Sequence, residues 1–253
     1  MEEMKYTRMN AGIIDRWCRE GWRWGQPIKD EDYNNAREGR WRVLLTPNNS
    51  VPKAWLRDLK GKKLLGLACG GAQQMPIFAA LGAECTLLDI SPAQCRSDRE
   101  FAARMGYEID IREADMTEPL PFEDETFDVI FLPVSTCYIR YLDPLFIECH
   151  RILKPGGQLL GGFDSGINYC TDNAEKELVQ SLPFDPLSDP LLMQRCVQQD
   201  CGVQFSHTTG ETLAALLRAG FLLRSIYDDT NEDGHLKELN IPAFIAVQCR
   251  KEK

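Results

Sequence analysis

The chain has 253 residues, 43% of them hydrophobic and 26% charged, with a formal net charge of −9. That length buries a sizeable core, as one α/β domain with additions or as two small domains. No apolar run approaches the roughly 20 residues needed to cross a bilayer, and the opening MEEMKYTRMN lacks the apolar centre of a secretory signal.

Charge is unevenly spread: residues 1–60 carry a net +3 and the remainder −12. An acidic body repels phosphate backbones, so nucleic acid is not expected as a substrate. The ten cysteines include no CxxC pair. They read as reduced core thiols of a cytoplasmic protein.

In chain order, Asn10 is placed to cap a short helix with Ile13, Ile14 and Trp17 on its inner face and Gly21 at its end. Gly21 to Ile28, GWRWGQPI, is too rich in Gly and Pro for a regular element. All five tryptophans fall within residues 1–60. Most are read as pins holding an irregular N-terminal extension onto a sheet. One or two are read as facing a ligand, Trp24 first, since an aromatic face attracts a cation.

Lys63 to Ser91, KLLGLACGGAQQMPIFAALGAECTLLDIS, organises the rest. A buried strand (Leu64–Ala68) leads through the small-residue turn Cys69-Gly70-Gly71-Ala72 into a helix from Gln73 to Leu81. Gly82 stops that helix, and a second strand from Cys85 to Leu88 ends at Asp89. Small residues at Ala68, Gly70 and Ala72 let backbone amides approach a ligand closely, and the following helix points its positive end there. Asp89, nineteen residues after Gly70, stands where a carboxylate accepts from both hydroxyls of a ribose. Strand, turn, helix, strand and acid in this order form the nucleotide-binding half of a doubly wound sheet.

Ser91-Pro92-Ala93-Gln94 then starts a helix running to Met105, with Gly106 after it. Tyr107–Ile111 reads as a third strand and Phe127–Leu132 as a fourth, closed by Pro133. A helix from Asp143-Pro144 carries Leu145, Phe146, Cys149, Ile152 and Leu153 on one face. Lys154-Pro155-Gly156-Gly157 turns it into a fifth strand, Gln158–Phe163. Residues 164–206 are polar and read as an insertion, with a helix near Leu191–Gln199. Thr208 to Glu211 is a second capping box, for a helix buried along Leu213, Leu216 and Leu217 and ended by Gly220. Phe221–Tyr227 and Ala243–Cys249 are the last two strands.

The signatures LLGLACGGA (64–72), LLDIS (87–91), ADM (114–116), FDVIF (127–131) and ILKPGG (152–157) resemble, in this order and spacing, those of class I S-adenosylmethionine-dependent methyltransferases, over residues 60–253. The resemblance implies an α/β fold: a doubly wound, seven-stranded, mostly parallel sheet whose last strand runs antiparallel. Residues 1–60 would then be an N-terminal lid or extension, 61–253 the cofactor-binding domain and 164–206 a substrate cap. It implies that S-adenosylmethionine lies with its methionine part against Ala68, Cys69 and Gly70. Asp89 would hold the ribose hydroxyls and Ile90 would lie beside the adenine. Asp115 would accept from the adenine amino group, Met116 would offer its backbone amide, and Leu132 and Pro133 would lie near the sulfonium. The chain departs from the family's usual pattern in having Gly66 where an acid is common and Ala68 where glycine is common.

The function so implied is methyl transfer to a small-molecule acceptor by in-line displacement, which asks mainly for alignment and exclusion of water. His207, next to a helix start after the insertion, is the candidate acid or base. His150 reads as structural and His235 as solvated. Tyr138, with Tyr141, is a candidate wall of the acceptor pocket. Cys196, Cys201 and His207 match no common zinc spacing, so no metal is expected. Two other classes share parts of the pattern. A methyltransferase-like protein that binds cofactor without turnover would fit Gly66 and Ala68. A nicotinamide oxidoreductase fits poorly, because the turn lacks the third glycine of GxGxxG.

Overall fold

The computed structural model describes residues 3–252. Its centre is a seven-stranded sheet in the order β3-β2-β1-β4-β5-β7-β6. The strands are β1 Lys63–Leu67, β2 Glu84–Asp89, β3 Ile109–Glu113, β4 Phe127–Leu132, β5 Leu153–Asp164, β6 Leu222–Asp229 and β7 Phe244–Arg250. Neighbours pair in parallel except β7, which runs antiparallel to both β5 and β6. This is the doubly wound sheet the sequence predicts, with the last two strands as its hairpin.

The helices are α1 Glu3–Arg19, α2 Asp30–Arg37, α3 Met75–Ala80, α4 Pro92–Met105, α5 Leu142–Ile152, α6 Ile167–Cys170, α7 Pro190–Gln199, α8 Thr209–Arg218 and α9 His235–Glu238. Alternate residues of each central strand feed opposite faces, and both faces are covered, so β1 and β4 read as unbroken apolar runs. Leu65, Leu67, Ile130 and Leu132 pack with Phe146 of α5 and Leu216 of α8. Leu64, Val129 and Phe131 pack with Phe78 of α3 and with Val43, Leu45 and Trp55 of the N-terminal segment. Leu217 faces solvent, 58% exposed, so the buried stripe of α8 is narrower than its spacing predicts.

The N-terminal segment is more regular than expected. Asn10 does not cap α1, which has begun seven residues earlier. Its carboxamide is buried and pairs with the backbone of Val203 in both directions, donating to the carbonyl at 3.0 Å and accepting from the amide at 2.7 Å. Tyr6 of α1 packs edge-on against Phe205. The start of the chain is thereby bound to the end of the 164–206 segment.

Ser91 Oγ caps α4, accepting from the Gln94 amide at 3.1 Å. Asp15 of α1 accepts from Ser91 Oγ at 2.6 Å and from the Ala93 amide at 3.0 Å. A carboxylate at a helix N-terminus is stabilising, and here it seats α1 against the sheet's carboxyl edge. Helix α2 escaped the sequence reading, although Asp30, Glu31 and Asp32 crowd its first turn as the dipole favours.

Candidate active site

The strand order reverses between β2 and β4, on either side of β1. Ligands of open α/β sheets bind outside the carboxyl ends at such a reversal. A cavity of about 370 Å³ lies there. Its floor includes Ala68, Cys69, Gly70, Asp89, Ile90 and Pro133; α1 and the tryptophan-rich loop cover it with Asn10, Ile14, Trp22 and Trp24.

Asp89 is the best-held polar group in it. Oδ2 accepts from the Gly70 amide and Oδ1 from the Ser91 amide, both at 2.9 Å. Burial pushes its carboxyl above the usual range, opposed by those two amides. A carboxylate offers about four acceptor positions, so two remain for the cavity. Gly70 must be glycine. A Cβ there would lie 2.6 Å from Gln94 Cβ and 2.9 Å from Asp89 Oδ2.

A second acid holds the turn from behind. Asp98 of α4 is fully buried and accepts from the Ala72 amide at 2.8 Å. Burial raises it to about 7, and its Oδ1 has no partner. The sequence carried a signal for it: an acid on the inner stripe of α4, between Cys95 and Phe101. Gln94, buried on the first turn of the same helix, lines the cavity with an unpartnered Oε1.

The other residues singled out from sequence divide into two groups. Met116, Trp24 and Tyr138 line the cavity. Trp24 already carries the Arg23 guanidinium 4.5 Å above its ring. Trp22 lines the cavity too, with Trp17 packed 5.4 Å away. Trp55 packs on Tyr227, and Trp41 lies under Lys53. Leu132 is fully buried in the core rather than at the cavity wall. Asp115 is also outside the wall: its Oδ1 is taken up by the Thr117 amide at 2.8 Å and hydroxyl at 2.7 Å. His207 stands apart as well. Its Nε2 contacts the Ile139 carbonyl oxygen at 2.8 Å, and burial holds its pKa below the usual value. A neutral imidazole donating to a carbonyl is a pin, not an acid or base facing the cavity.

Residues 65–161 match the model of a methyltransferase domain. The chain is 31% identical over 249 residues to the uncharacterized methyltransferase YbaJ of Bacillus subtilis (strain 168), covering 96% of this chain and 97% of that one. The chain belongs to the class I S-adenosylmethionine-dependent methyltransferases. It is also 30% identical over 173 residues to a ubiquinone biosynthesis O-methyltransferase of Chelativorans sp. (strain BNC1), over 62% of this chain and 63% of that one. An S-adenosylmethionine-dependent methyltransferase from Mesorhizobium loti shares the fold at a TM-score of 0.64 and 22% identity, covering 79% of this chain and 95% of that one.

Membership makes the two departures of the methyltransferase turn explicable. A Cβ on Gly66 would meet Met75 Sδ at 2.2 Å, so a thioether fills the place of the missing acid side chain. Ala68 sits at φ +48° and Ala72 at φ +55°, the left-handed region that favours glycine. The Ala68 amide donates to the Leu88 carbonyl at 2.8 Å, and Asp98 holds the Ala72 amide. Strained backbone of this kind persists where surroundings over-determine it, and it clusters at ligand clamps.

The cavity fits the family's cofactor on three counts. Gly70 keeps the backbone bare where a Cβ would collide. Asp89 has acceptor positions to spare. Gln94 presents a buried carbonyl with no partner. One expectation has no residue in its place: with Gly66 and Met75 where an acid is common, the carboxyl groups of the wall are, among the described residues, Asp89 and Asp164. Asp164, at the end of β5, and Asn168 and Tyr169 of α6 line the cavity and were missed in the sequence. An acid at the end of a strand, the signal that exposed Asp89, would have found Asp164 too.

Proposed function

We propose that this methyltransferase acts on a small-molecule acceptor inside the covered cavity, with the adenosyl part of S-adenosylmethionine held by Gly70, Asp89 and Ile90. The observation that carries the reading is the Asp89 carboxylate, gripped by the Gly70 and Ser91 amides and aimed into a cavity that α1 covers. A covered cavity suits a small molecule better than a polymer. Methylation of a small molecule is also what the name of the Chelativorans relative describes.

Bound S-adenosylmethionine supplies an electrophilic methyl group on a positively charged sulfur. What the chain supplies is position and dryness. Asp89 orients the ribose, Gly70 allows the backbone to come close, and the Met116 amide and Ile90 flank the adenine. Pro133 and the turn after β4 form the floor toward the acceptor, with Tyr138 as wall. Residues 1–60 and 164–206 act as the two halves of a lid, joined by the Asn10–Val203 pair; lids of this kind exclude water and select acceptors. Asp115 holds the loop that carries Met116, through Thr117, and Leu132 supports Pro133 from the core.

The acidic balance of the chain, and the absence of lysine and arginine among the described residues that line the cavity, support a partner other than nucleic acid. Ten free thiols support a reducing compartment, the cytoplasm. Among the described residues no helix is long and apolar enough to cross a membrane.

The test has two steps. S-adenosylhomocysteine should raise the melting temperature of the wild-type protein, and a panel of small-molecule acceptors should then be screened for S-adenosylhomocysteine release. Tight cofactor binding with silence across hydroxyl, amine, thiol and carbon acceptors would refute the small-molecule reading.

A further inference from the structure

Asp164 closes β5, and β5 is separated from β1 by β4. Two strand spacings put it roughly 10 Å from the cofactor turn, at the acceptor end of the cavity. Its carboxylate accepts from the Gly166 amide, and the Asn168 side chain lies beside it. Asn231 donates to Asn168 Oδ1 at 2.8 Å, leaving the Asn168 amino group to face Asp164. The hairpin between β6 and β7 therefore fixes, through Asn168, how this carboxylate points.

Nothing at that end offsets its charge. Among the described residues that line the cavity there is no lysine, arginine or histidine. The neighbours are Tyr138, Tyr169 and Cys137. Burial pushes all three upward, so they stay neutral near pH 7. Burial also raises Asp164 to about 6, near where a general base works best. An unpaired carboxylate in such surroundings costs stability, and groups of that kind cluster at functional sites.

Methyl transfer moves one positive charge from sulfur to the acceptor, and a carboxylate beside the acceptor is placed to collect it. We propose that Asp164 receives the proton of the nucleophile, and that the acceptor is a protic one, an O–H or N–H compound carrying no anionic group, seated against Tyr138 and Tyr169. The inference rests on the small-molecule reading above. As the bond from the acceptor atom to the methyl carbon forms, the carbon–sulfur bond breaks and its electron pair goes to sulfur. The proton leaving the acceptor atom passes to the Asp164 carboxylate and then to solvent. A carboxylate or phosphate on the acceptor would set like charge against Asp164 with no cation to balance it.

The test uses the full chain saturated with S-adenosylhomocysteine, with phenol, aniline and benzoate as probes. Phenol or aniline, or both, should raise the melting temperature further, and benzoate should not. Phenol alone marks an oxygen acceptor, aniline alone a nitrogen acceptor, and either result supports the proposal. Asp164→Asn should weaken that binding about tenfold or more while leaving S-adenosylhomocysteine affinity, read by calorimetry, within twofold. Asn168→Ala, which frees the carboxylate without removing it, should weaken probe binding less, and it carries the test should Asp164→Asn not fold. Benzoate binding as well as phenol, probe binding unchanged in the variants, or a wild-type complex that answers none of the three probes overturns the proposal. Failure of S-adenosylhomocysteine itself to bind would instead overturn the reading on which it rests.

Discussion

Removing the Asp89 carboxylate separates the site from the fold that carries it. In Asp89→Ala two amides lose their acceptors, those of Gly70 and Ser91, each now 2.9 Å from a carboxylate oxygen. Leaving a buried donor unmade costs about 1–3 kcal/mol. Here the loss is offset in part, because Asp89 is itself held above its ordinary pKa by burial. The effect on ligand binding is larger. Two hydrogen bonds from ribose hydroxyls to a carboxylate contribute roughly 1.5–3 kcal/mol each, so their loss raises Kd by about 10²–10⁴-fold. With S-adenosylhomocysteine at 100 times the wild-type Kd, binding stabilises the fold by about 2.7 kcal/mol. At roughly 2–4 °C per kcal/mol for a chain of this size, that is a shift of about 5–10 °C. The same concentration applied to Asp89→Ala leaves at most about 0.4 kcal/mol, near 1 °C. Differential scanning fluorimetry with and without ligand measures both effects. Asp89→Asn, which keeps the shape and a single acceptor, should fall between. A ligand-induced shift that survives intact in Asp89→Ala would remove the ribose from this carboxylate and the assignment of the cavity with it.

Three further outcomes follow from particular contacts. Asn10→Ala breaks both hydrogen bonds to Val203 and should cost roughly 2–4 kcal/mol, seen as a melting temperature several degrees lower without ligand; an unchanged value would mean α1 and the 164–206 segment are not joined there. Gly66→Asp, which restores the acid common in the family, should destabilise by about 2 kcal/mol or more because it collides with the Met75 thioether, and adding Met75→Ala should recover part of the loss in urea unfolding. Asp98 binds its proton more tightly folded than unfolded, being raised from 3.8 to about 7, so its contribution to stability falls as pH rises from about 4 toward 7. Asp98→Asn should abolish that contribution, making the loss between pH 5 and pH 7 smaller than wild type by roughly 2–3 kcal/mol in urea titrations.

The sheet was legible because its signals are local and redundant. Each central strand is a short apolar run with a marker at one end: Asp89 closing β2, Pro133 after β4, the glycine pair before the buried part of β5. Capping boxes at Ser91 and Thr208 marked helix starts that the structure keeps. The N-terminal and 164–206 segments were legible only in part, because their structure comes from distant partners. Asn10 carries the composition of a cap, yet its hydrogen bonds run to Val203, 193 residues away, and no local pattern announces that. Asp98 and Asp164 were missed for a related reason. A buried acid on a helix stripe looks like an ordinary surface charge until burial is known, and the strand-end signal at Asp164 lay outside the signatures that drew the eye to Asp89. His207 is the converse case: position near the insertion invited a chemical role, and the Ile139 carbonyl had already claimed its ring.

The two segments proposed as a lid are held very differently, and on that proposal the difference bears on how ligands come and go. Helix α1 is tied at both ends of the cavity, by Tyr6 and Asn10 on Phe205 and Val203 and by Asp15 on the start of α4. Helix α7 buries no side chain at all, and Leu178, Leu191 and Val197 beside and along it stand more than half exposed. A segment with few buried apolar contacts opens at lower free energy than its surroundings. In the lid proposed above, the stretch around α7, between the Arg140–Asp185 ion pair and Val203, is the part expected to open, with α1 seated on the cofactor side. Such a division would keep Asp89 and the turn rigid for the proposed adenosyl site and leave the moving part at the end where Asp164 is proposed to meet the acceptor.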